Sequence, residues 1–144
     1  MREILFRGKR ADTGEWAEGY FGIKRNGNKK VYCIMCETAN YNYNETYFTD
    51  YEVTPETVGQ YTGLTDRNGT RIFEGDIVKM HGGCDEMDIR EYDIICKIVY
   101  GRTGYGSAIG FAGAYKSGMQ VPLMCAGALT VIGNIYDTPE LLER

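Results

Sequence analysis

The sequence contains little proline, almost no histidine and no long apolar run. Its 144 residues include three prolines and one histidine, so only one side chain has an ordinary pKa close to neutrality. The longest apolar stretches fall well below the roughly 18 residues that a membrane-spanning helix requires. The opening "MREILFRGKR" has three apolar residues between its charges, too few for the core of a signal peptide. We therefore expect a soluble protein of the cytoplasm.

Helical periodicity is equally scarce. No window of about eleven residues or more places apolar side chains at i, i+3, i+4 and i+7 between clean caps. Short runs of β-branched and aromatic residues recur instead between turn signals. The 19 glycines and 12 tyrosines are typical of tight corners and half-buried strands. The sequence therefore predicts a mostly β protein with minor helical content.

The cysteine count excludes a simple disulfide framework. Five cysteines without a secretory signal indicate reduced thiols in a reducing compartment. A chain of this length buries roughly 70% of its unfolded surface, so it can fold without a disulfide or a metal ion.

Turn signals divide the first part of the chain into three strand patterns, "REILFRG", "WAEGYFGIK" and "KKVYCIMCE". Asn26-Gly27 tolerates the positive φ of a tight hairpin between the last two. The polar segment "TANYNYNETYFTDYE" predicts a long loop that leads into a short strand at residues 47–53. "VTPETVGQ" predicts a single helical turn, with Thr54 as its cap and Pro55 at the first helical position. We predict an N-terminal β-meander over residues 1–59.

The second part opens with "YTGLTDRNGTRIFEGDIVKM". Asp66 can bond to nearby backbone amides in an Asx-type turn, and the Gly75-Asp76 step into Ile77 and Val78 is typical of the first long strand of SH3-like barrels. Further strand patterns are "YDIICKIVYG", "AIGFAGAYK", "MQVPLMC" and "ALTVIGNIY", and "DTPELLER" predicts a final helical turn. We predict a five-stranded SH3-like barrel over residues 60–144 with a short C-terminal helical turn.

A family resemblance accompanies these patterns. "MREILFRGKR", "GEW" and "GY", the central "TVGQYTGLTDRNGTRIFEGDIV" and the final "VIGNIYDTPELLER" resemble the YopX family of phage and prophage proteins. The resemblance covers the two ends and the centre, about half of the chain. It implies a β-rich fold with an SH3-like barrel and expression inside a bacterial host. The family's biochemical function is unassigned, so no catalytic residue is implied.

Charge is spread unevenly along the chain. The net charge is −4, yet residues 1–30 hold eight Lys/Arg and four Asp/Glu, a net +4. The overall sign argues against a protein that coats nucleic acid by charge alone, whereas the first segment allows a local basic patch. The candidate binding residues are the cations of that segment and two nearby tyrosines that could stack on bases: Arg7, Lys9, Arg10, Lys24, Arg25, Lys29, Lys30, Tyr20 and Tyr32. The alternative is that these cations serve solubility and protect strand edges.

The cysteine and histidine residues predict no metal or catalytic site. A zinc half-site needs two thiolates that converge on one ion, but Cys33 and Cys36 lie three residues apart in a strand pattern, which places their side chains on opposite faces. His81 and Cys84 could form a nucleophile–base pair, but their glycine-flanked acidic context favours a surface loop.

The remaining motifs also favour structural roles. Glu74 and Asp76 could share acid–base chemistry, but backbone bonding at a strand entrance explains them better. The acidic run of residues 85–93 lacks the ligand order of a calcium loop. "GRTGYGSAIG" does not open a helix, as a phosphate-binding loop would. We expect no catalytic residue, metal or cofactor.

Two functions remain open from the sequence. The first is a non-enzymatic interaction or assembly module that self-associates and binds a phage or host protein through a sheet edge or the tyrosine-rich segment. The alternative is a nucleic-acid-binding accessory protein that uses the basic N-terminal patch. No membrane partner is expected.

Overall fold

The computed structural model of the chain describes residues 3–40, 45–82, 92–102, 109–114, 120–122 and 129–143. Within these ranges the chain forms β-strands and two short 3-10 turns, so the prediction of a mostly β protein is confirmed. The strands are β1 (Phe6–Lys9), β2 (Trp16–Asn26), β3 (Lys29–Asn40), β4 (Glu45–Glu52), β5 (Gly59–Thr65), β6 (Arg71–Phe73), β7 (Asp76–Gly82), β8 (Tyr92–Arg102), β9 (Ile109–Ala114), β10 (Gln120–Pro122) and β11 (Leu129–Asn134). The 3-10 turns are Pro55–Thr57 and Pro139–Glu143.

The strands form two antiparallel sheets. One has the order β4-β3-β2-β1-β5-β6 and the other the order β10-β9-β8-β7-β11. The chain divides into two units, Met1–Tyr61 and Thr62–Arg144, and the division falls within β5. None of the described helical segments has the length and hydropathy of a membrane span.

The first unit is a meander whose last strand returns to its first. β1 pairs with β2, β2 with β3 and β3 with β4, each antiparallel. At the end of β4, the Val53 N–H donates to Tyr32 O, while Arg10 and Val53 form an isolated bridge next to the end of β1. One face of the curled sheet carries the core, which contains Ala17, Ile34 and Val53 packed against Phe6, Phe21, Tyr32, Cys36, Tyr51 and Val58.

The predicted long loop before a short strand is wrong. β3 continues to Asn40 and β4 begins at Glu45, so the polar "TAN" and "ETYF" segments belong to strands, and residues 41–44 lie outside the described residues. Polar and tyrosine-rich residues form strands here because β4 pairs along its whole length with the second part of β3, from Cys33↔Glu52 to Asn40↔Glu45. Pairing context outweighs the weak intrinsic preference of Asn and Glu.

The second unit has its own core on the sheet that β7, β8 and β11 build. Ile72, Val78, Cys96, Ile98 and Leu129 are buried, with Leu64, Met80 and Val131 packed against them. β7 lies between β8 and β11, and β10, which carries Pro122, is at the edge of the sheet, where a missing N–H costs least. The closure of this sheet into an SH3-like barrel stays a prediction.

Two buried carboxylates hold the segment of residues 61–80 in place. Asp66 Oδ1 accepts the N–H groups of Asn68 and Thr70, which is the predicted Asx-type turn. Its Oδ2 accepts the N–H of Val131 in β11, 2.9 Å away. Asp76 Oδ2 accepts the N–H of Phe73 at 2.7 Å, across the bend at Gly75. Both side chains serve the backbone, so this stretch is scaffolding.

Both predicted helical turns are present as 3-10 turns. Pro55 occupies the start of the first, as predicted, but Thr54 makes no side-chain cap there. The Thr57 hydroxyl donates instead to the Thr54 carbonyl oxygen. Before the second turn, the Thr138 hydroxyl donates to the carbonyl oxygen of Asn134 and accepts its N–H.

Candidate functional site

The hairpin of β2 and β3 extends past the pairing of both neighbouring strands. β1 pairs with residues 16–19 of β2, and β4 pairs with β3 from Cys33 onward. In residues 23–31, here called the β2–β3 arm, the described pairings join only β2 and β3. Gly27, with φ of 65°, makes the tight turn at its tip.

The arm concentrates positive charge. Lys24, Arg25, Lys29 and Lys30 are all exposed, and the sequence from Gly19 to Cys36 contains no Asp or Glu. Arg25 lies directly opposite Lys30, and like charges at directly opposed positions destabilise a strand pair. Lys24 forms an ion pair with Asp50 of β4. The other three cations have no described carboxylate partner, so the arm is an exposed basic ribbon.

The basic residues of β1 do not join this arm. Lys9 pairs with Trp16, at the opposite end of β2 from Arg25, and nine strand residues separate those positions by about 30 Å. The end of β1 therefore does not lie beside the tip of the β2–β3 hairpin. The cations of the predicted patch fall into two groups because β2 is long and β1 pairs with its start.

Each cation of the β1 group lies against an aromatic ring. The Arg7 guanidinium lies 4.6 Å and the Lys9 ammonium 5.5 Å from the centre of the Trp16 ring. Arg10 lies 4.2 Å from the centre of the Tyr51 ring and bonds to Asp12 at 2.9 Å. The hydrogen bond with Asp12 raises the pKa of Arg10 and lowers that of Asp12. These contacts give the three cations structural roles.

The two tyrosines of the predicted site lie on opposite faces of the sheet. Tyr32 packs against Phe21, with ring centres 6.1 Å apart, at the border of the core. Tyr20 is 45% exposed on the other face and meets Phe48 of β4 edge-on at 6.0 Å. Tyr32 shares the face of Arg25 and Lys30 but already stacks on Phe21, whereas Tyr20 lies on the other face.

Within the described residues, β4 has an open outward edge from Thr46 to Asp50, a feature that the sequence analysis missed. At the end of the strand the edge is covered, because the Glu52 carbonyl oxygen accepts the Ala11 N–H. Since Val53 donates to β3 and alternate residues of an antiparallel strand face the same neighbour, Thr46, Phe48 and Asp50 direct their N–H and C=O groups away from β3. Within the described residues, β4 ends the sheet on that side. Phe48 is also 57% exposed. The sequence predicts a short strand at residues 47–53, and the β-branched and aromatic residues of "TYFTDY" are the signal that could have extended it to the whole of β4.

The thiols have no arrangement for metal or redox chemistry in the part of the chain that the structure describes. Cys33 and Cys36 lie on opposite faces of β3, as predicted, because their partners are Gly22 and Thr49. Burial raises the pKa of Cys36, and it raises the pKa of Cys96 to about 11. Among the described residues, no group of three His, Cys, Asp or Glu side chains could hold a metal ion.

The structure describes only some of the other candidate residues that the sequence offered. Burial raises the pKa of Glu74, while the adjacent Asp76 bonds to the backbone. His81 lies in β7, with its backbone opposite Asp93. Cys84 lies outside the described residues. The same is true of most of the acidic run of residues 85–93 and of most of "GRTGYGSAIG".

Comparison with known proteins places the chain in a family. The crystal structure of protein EF1440 from Enterococcus faecalis superimposes with a TM-score of 0.56 over 99% of each chain, at 23% sequence identity; at that identity the likeness shows the fold alone. No curated protein is significantly similar to the chain. The sequence profile described as "YopX protein" matches residues 5–143. Because this match covers nearly the whole chain, the protein belongs to the YopX family.

Proposed function

We propose that this protein is a non-enzymatic interaction module, expressed from a phage or prophage in the cytoplasm of a bacterial host, that assembles with itself through β4. The observation that supports this proposal most is the outward-facing edge of β4 with Phe48 exposed on it. An open strand edge is a template for another strand, since each added backbone hydrogen bond satisfies a donor and an acceptor.

Two copies of β4 can pair with each other in antiparallel register. With Phe48 opposite Phe48 of the second copy, Thr46 comes opposite Asp50, and all of these residues direct their backbone groups outward. A twofold axis at Phe48 makes the contact self-complementary, as a closed dimer requires. The two Phe48 rings and the two Tyr20 rings then share one face, which adds apolar burial at the seam.

The charges of β4 are compatible with this register. The strand carries Glu45, Asp50 and Glu52 and no cation, so a register that opposed two carboxylates would be destabilised. In the Phe48-centred register, Asp50 faces a threonine and Glu45 faces Tyr51. Lys24 also offsets the charge of Asp50. Self-pairing of β4 therefore avoids direct repulsion.

The test removes one outward N–H without disturbing the fold. Thr46→Pro eliminates a donor that β3 does not use, and an edge strand tolerates proline at such a position. Thr46→Ala is the matched control, because it changes the same side chain and keeps the N–H. Size-exclusion chromatography with light scattering should give a multiple of the 16.2 kDa chain mass for the wild type and the alanine variant. The proline variant should be a monomer.

A wild-type protein that stays a monomer at the highest accessible concentration would reject self-association. Equal assembly by the proline and alanine variants would reject the β4 edge as the contact. The proposal assigns no reaction to the protein, and turnover lost on replacement of one polar residue would overturn that part of it.

A further inference from the structure

The β2–β3 arm has the features of a nucleic-acid-binding ribbon. It is two strands wide, it extends past β1 and β4, and its described cations lie on both faces. Because side chains alternate along a strand, Arg25 and Lys30 share one face with Ile23, which is 52% exposed. Lys29 lies on the opposite face, as does Lys24. A polyanion that flanks the ribbon on two sides matches this distribution.

The opposition of Arg25 and Lys30 points to an anionic ligand. In the free protein, two like charges at a directly opposed pair weaken the hairpin, and no described carboxylate relieves them. A phosphate between the two side chains would turn this repulsion into two attractive contacts. The opposed Arg25 and Lys30 thus destabilise the hairpin in the free protein and would stabilise its complex with an anion.

The dimensions of the arm fit a groove of duplex DNA. The four β2 residues from Ile23 to Asn26 span about 14 Å, and the major groove is about 8.5 Å deep and wide enough for a two-stranded ribbon. Single strands are bound mainly by aromatic stacking. Residues 23–31 contain no aromatic side chain, and Tyr32, which follows them on the face of Arg25, stacks on Phe21. The arm itself therefore offers no ring for base stacking.

We propose that the β2–β3 arm binds double-stranded DNA by entering the major groove, with Arg25, Lys29 and Lys30 contacting phosphates. This inference goes beyond self-assembly through β4 and does not depend on it. The contacts would be with the backbone, so they predict binding with little sequence preference.

The slope of log K against log salt measures the number of phosphate contacts. Three phosphate contacts predict a slope of log K against log salt of about −2.7, which is a loss of affinity of about 40-fold between about 50 and 200 mM salt. Fluorescence anisotropy with a labelled mixed-sequence duplex of about two helical turns measures this slope. Arg25→Ser with Lys30→Ser should reduce the slope to about −0.9.

The matched control removes two exposed cations of the second unit, Arg67→Ser with Lys97→Ser. It has the same net charge as the arm variant and should retain the wild-type slope. Lys30→Glu provides a second test of the arm, because it places a carboxylate opposite Arg25. This variant should unfold at a higher temperature than the wild type and bind the duplex more weakly, so its loss of binding cannot come from misfolding.

Several results would overturn the proposal. These are an absence of duplex binding at about 50 mM salt, an equal loss of binding in the control variant, and an affinity for single-stranded oligothymidine that matches or exceeds that for the duplex. The same is true if polyglutamate displaces the labelled duplex as effectively as unlabelled duplex does. That result would indicate that the arm binds an acidic protein instead.

Discussion

At the scale of single residues, Asp66 shows how one carboxylate joins distant parts of a chain. Its hydrogen bonds with Asn68 and Thr70 are local. The "TDRNGT" pattern predicts such bonds because an Asp carboxylate commonly accepts backbone N–H groups a few residues further along the chain. Its bond to Val131 spans 65 residues, and nothing in the local sequence indicates it. The turn was predictable, but its attachment to β11 was not, because that contact depends on which strands lie next to each other.

Loss of the Asp66 carboxylate should destabilise the fold in a pH-dependent way. Burial alone would raise the pKa of Asp66, but hydrogen bonds from Val131, Thr70 and Asn68 outweigh it and lower the pKa. The folded-state pKa therefore lies below the unfolded value of about 3.9. The stabilisation is complete above that value and is lost as the pH falls through the folded-state pKa.

Urea unfolding of Asp66→Ala measures this contribution. At neutral pH the variant should lose about 3 kcal/mol of unfolding free energy, because three N–H groups lose a charged acceptor. The difference from the wild type should shrink as the pH falls below the unfolded-state pKa of about 3.9. Asp12→Ala, which removes an exposed carboxylate paired with Arg10, should leave the stability close to that of the wild type, because exposed ion pairs contribute little. A difference at Asp66 that is independent of pH would contradict the role of its charge.

At the scale of elements, the faces of the strands were predictable and their lengths were not. Alternation along "WAEGYFGIK" places Phe21 and Ile23 on one face of β2 and Trp16 and Tyr20 on the other, and the register agrees. Both faces of this pattern are apolar, so the sequence does not reveal that Tyr32 lies at the border of the core. β4 was underestimated because its polar residues become a strand only through pairing with β3.

Close approach of β2 and β3 makes Gly19 and Gly22 a matched pair for testing the meander. A Cβ at Gly19 would overlap the carbonyl oxygen of Met35, which belongs to the backbone and cannot move aside alone. At Gly22 the nearest atom is Met35 Cε at 3.3 Å, the end of a flexible side chain. Gly19→Ala should therefore cost about 3 kcal/mol and Gly22→Ala less than about 1 kcal/mol in chemical unfolding. Similar losses in the two variants would show that β2 and β3 adjust freely at Gly19.

At the scale of the whole molecule, each of the two units has a hydrophobic core among its described residues. Ile34 belongs to the core of the first unit and Ile98 to that of the second, and both side chains are buried. The sequence predicts a boundary between residues 59 and 60, and the two compact units divide within β5, after Tyr61. Local turn chemistry identifies such a region, whereas the assignment of β5 residues to either unit depends on contacts far along the chain.

Trp16 is the only tryptophan and lies in β2, so its fluorescence reports on the first unit while far-ultraviolet dichroism reports on both. Ile34→Ala and Ile98→Ala should each cost about 2–5 kcal/mol in their own core. If each core holds its own unit, Ile34→Ala will lower the urea midpoint of the Trp16 signal more than Ile98→Ala does. Ile98→Ala will then shift the dichroism at urea concentrations where the fluorescence remains native. Coincident shifts of both signals in both variants would show instead that the two cores unfold as one cooperative structure.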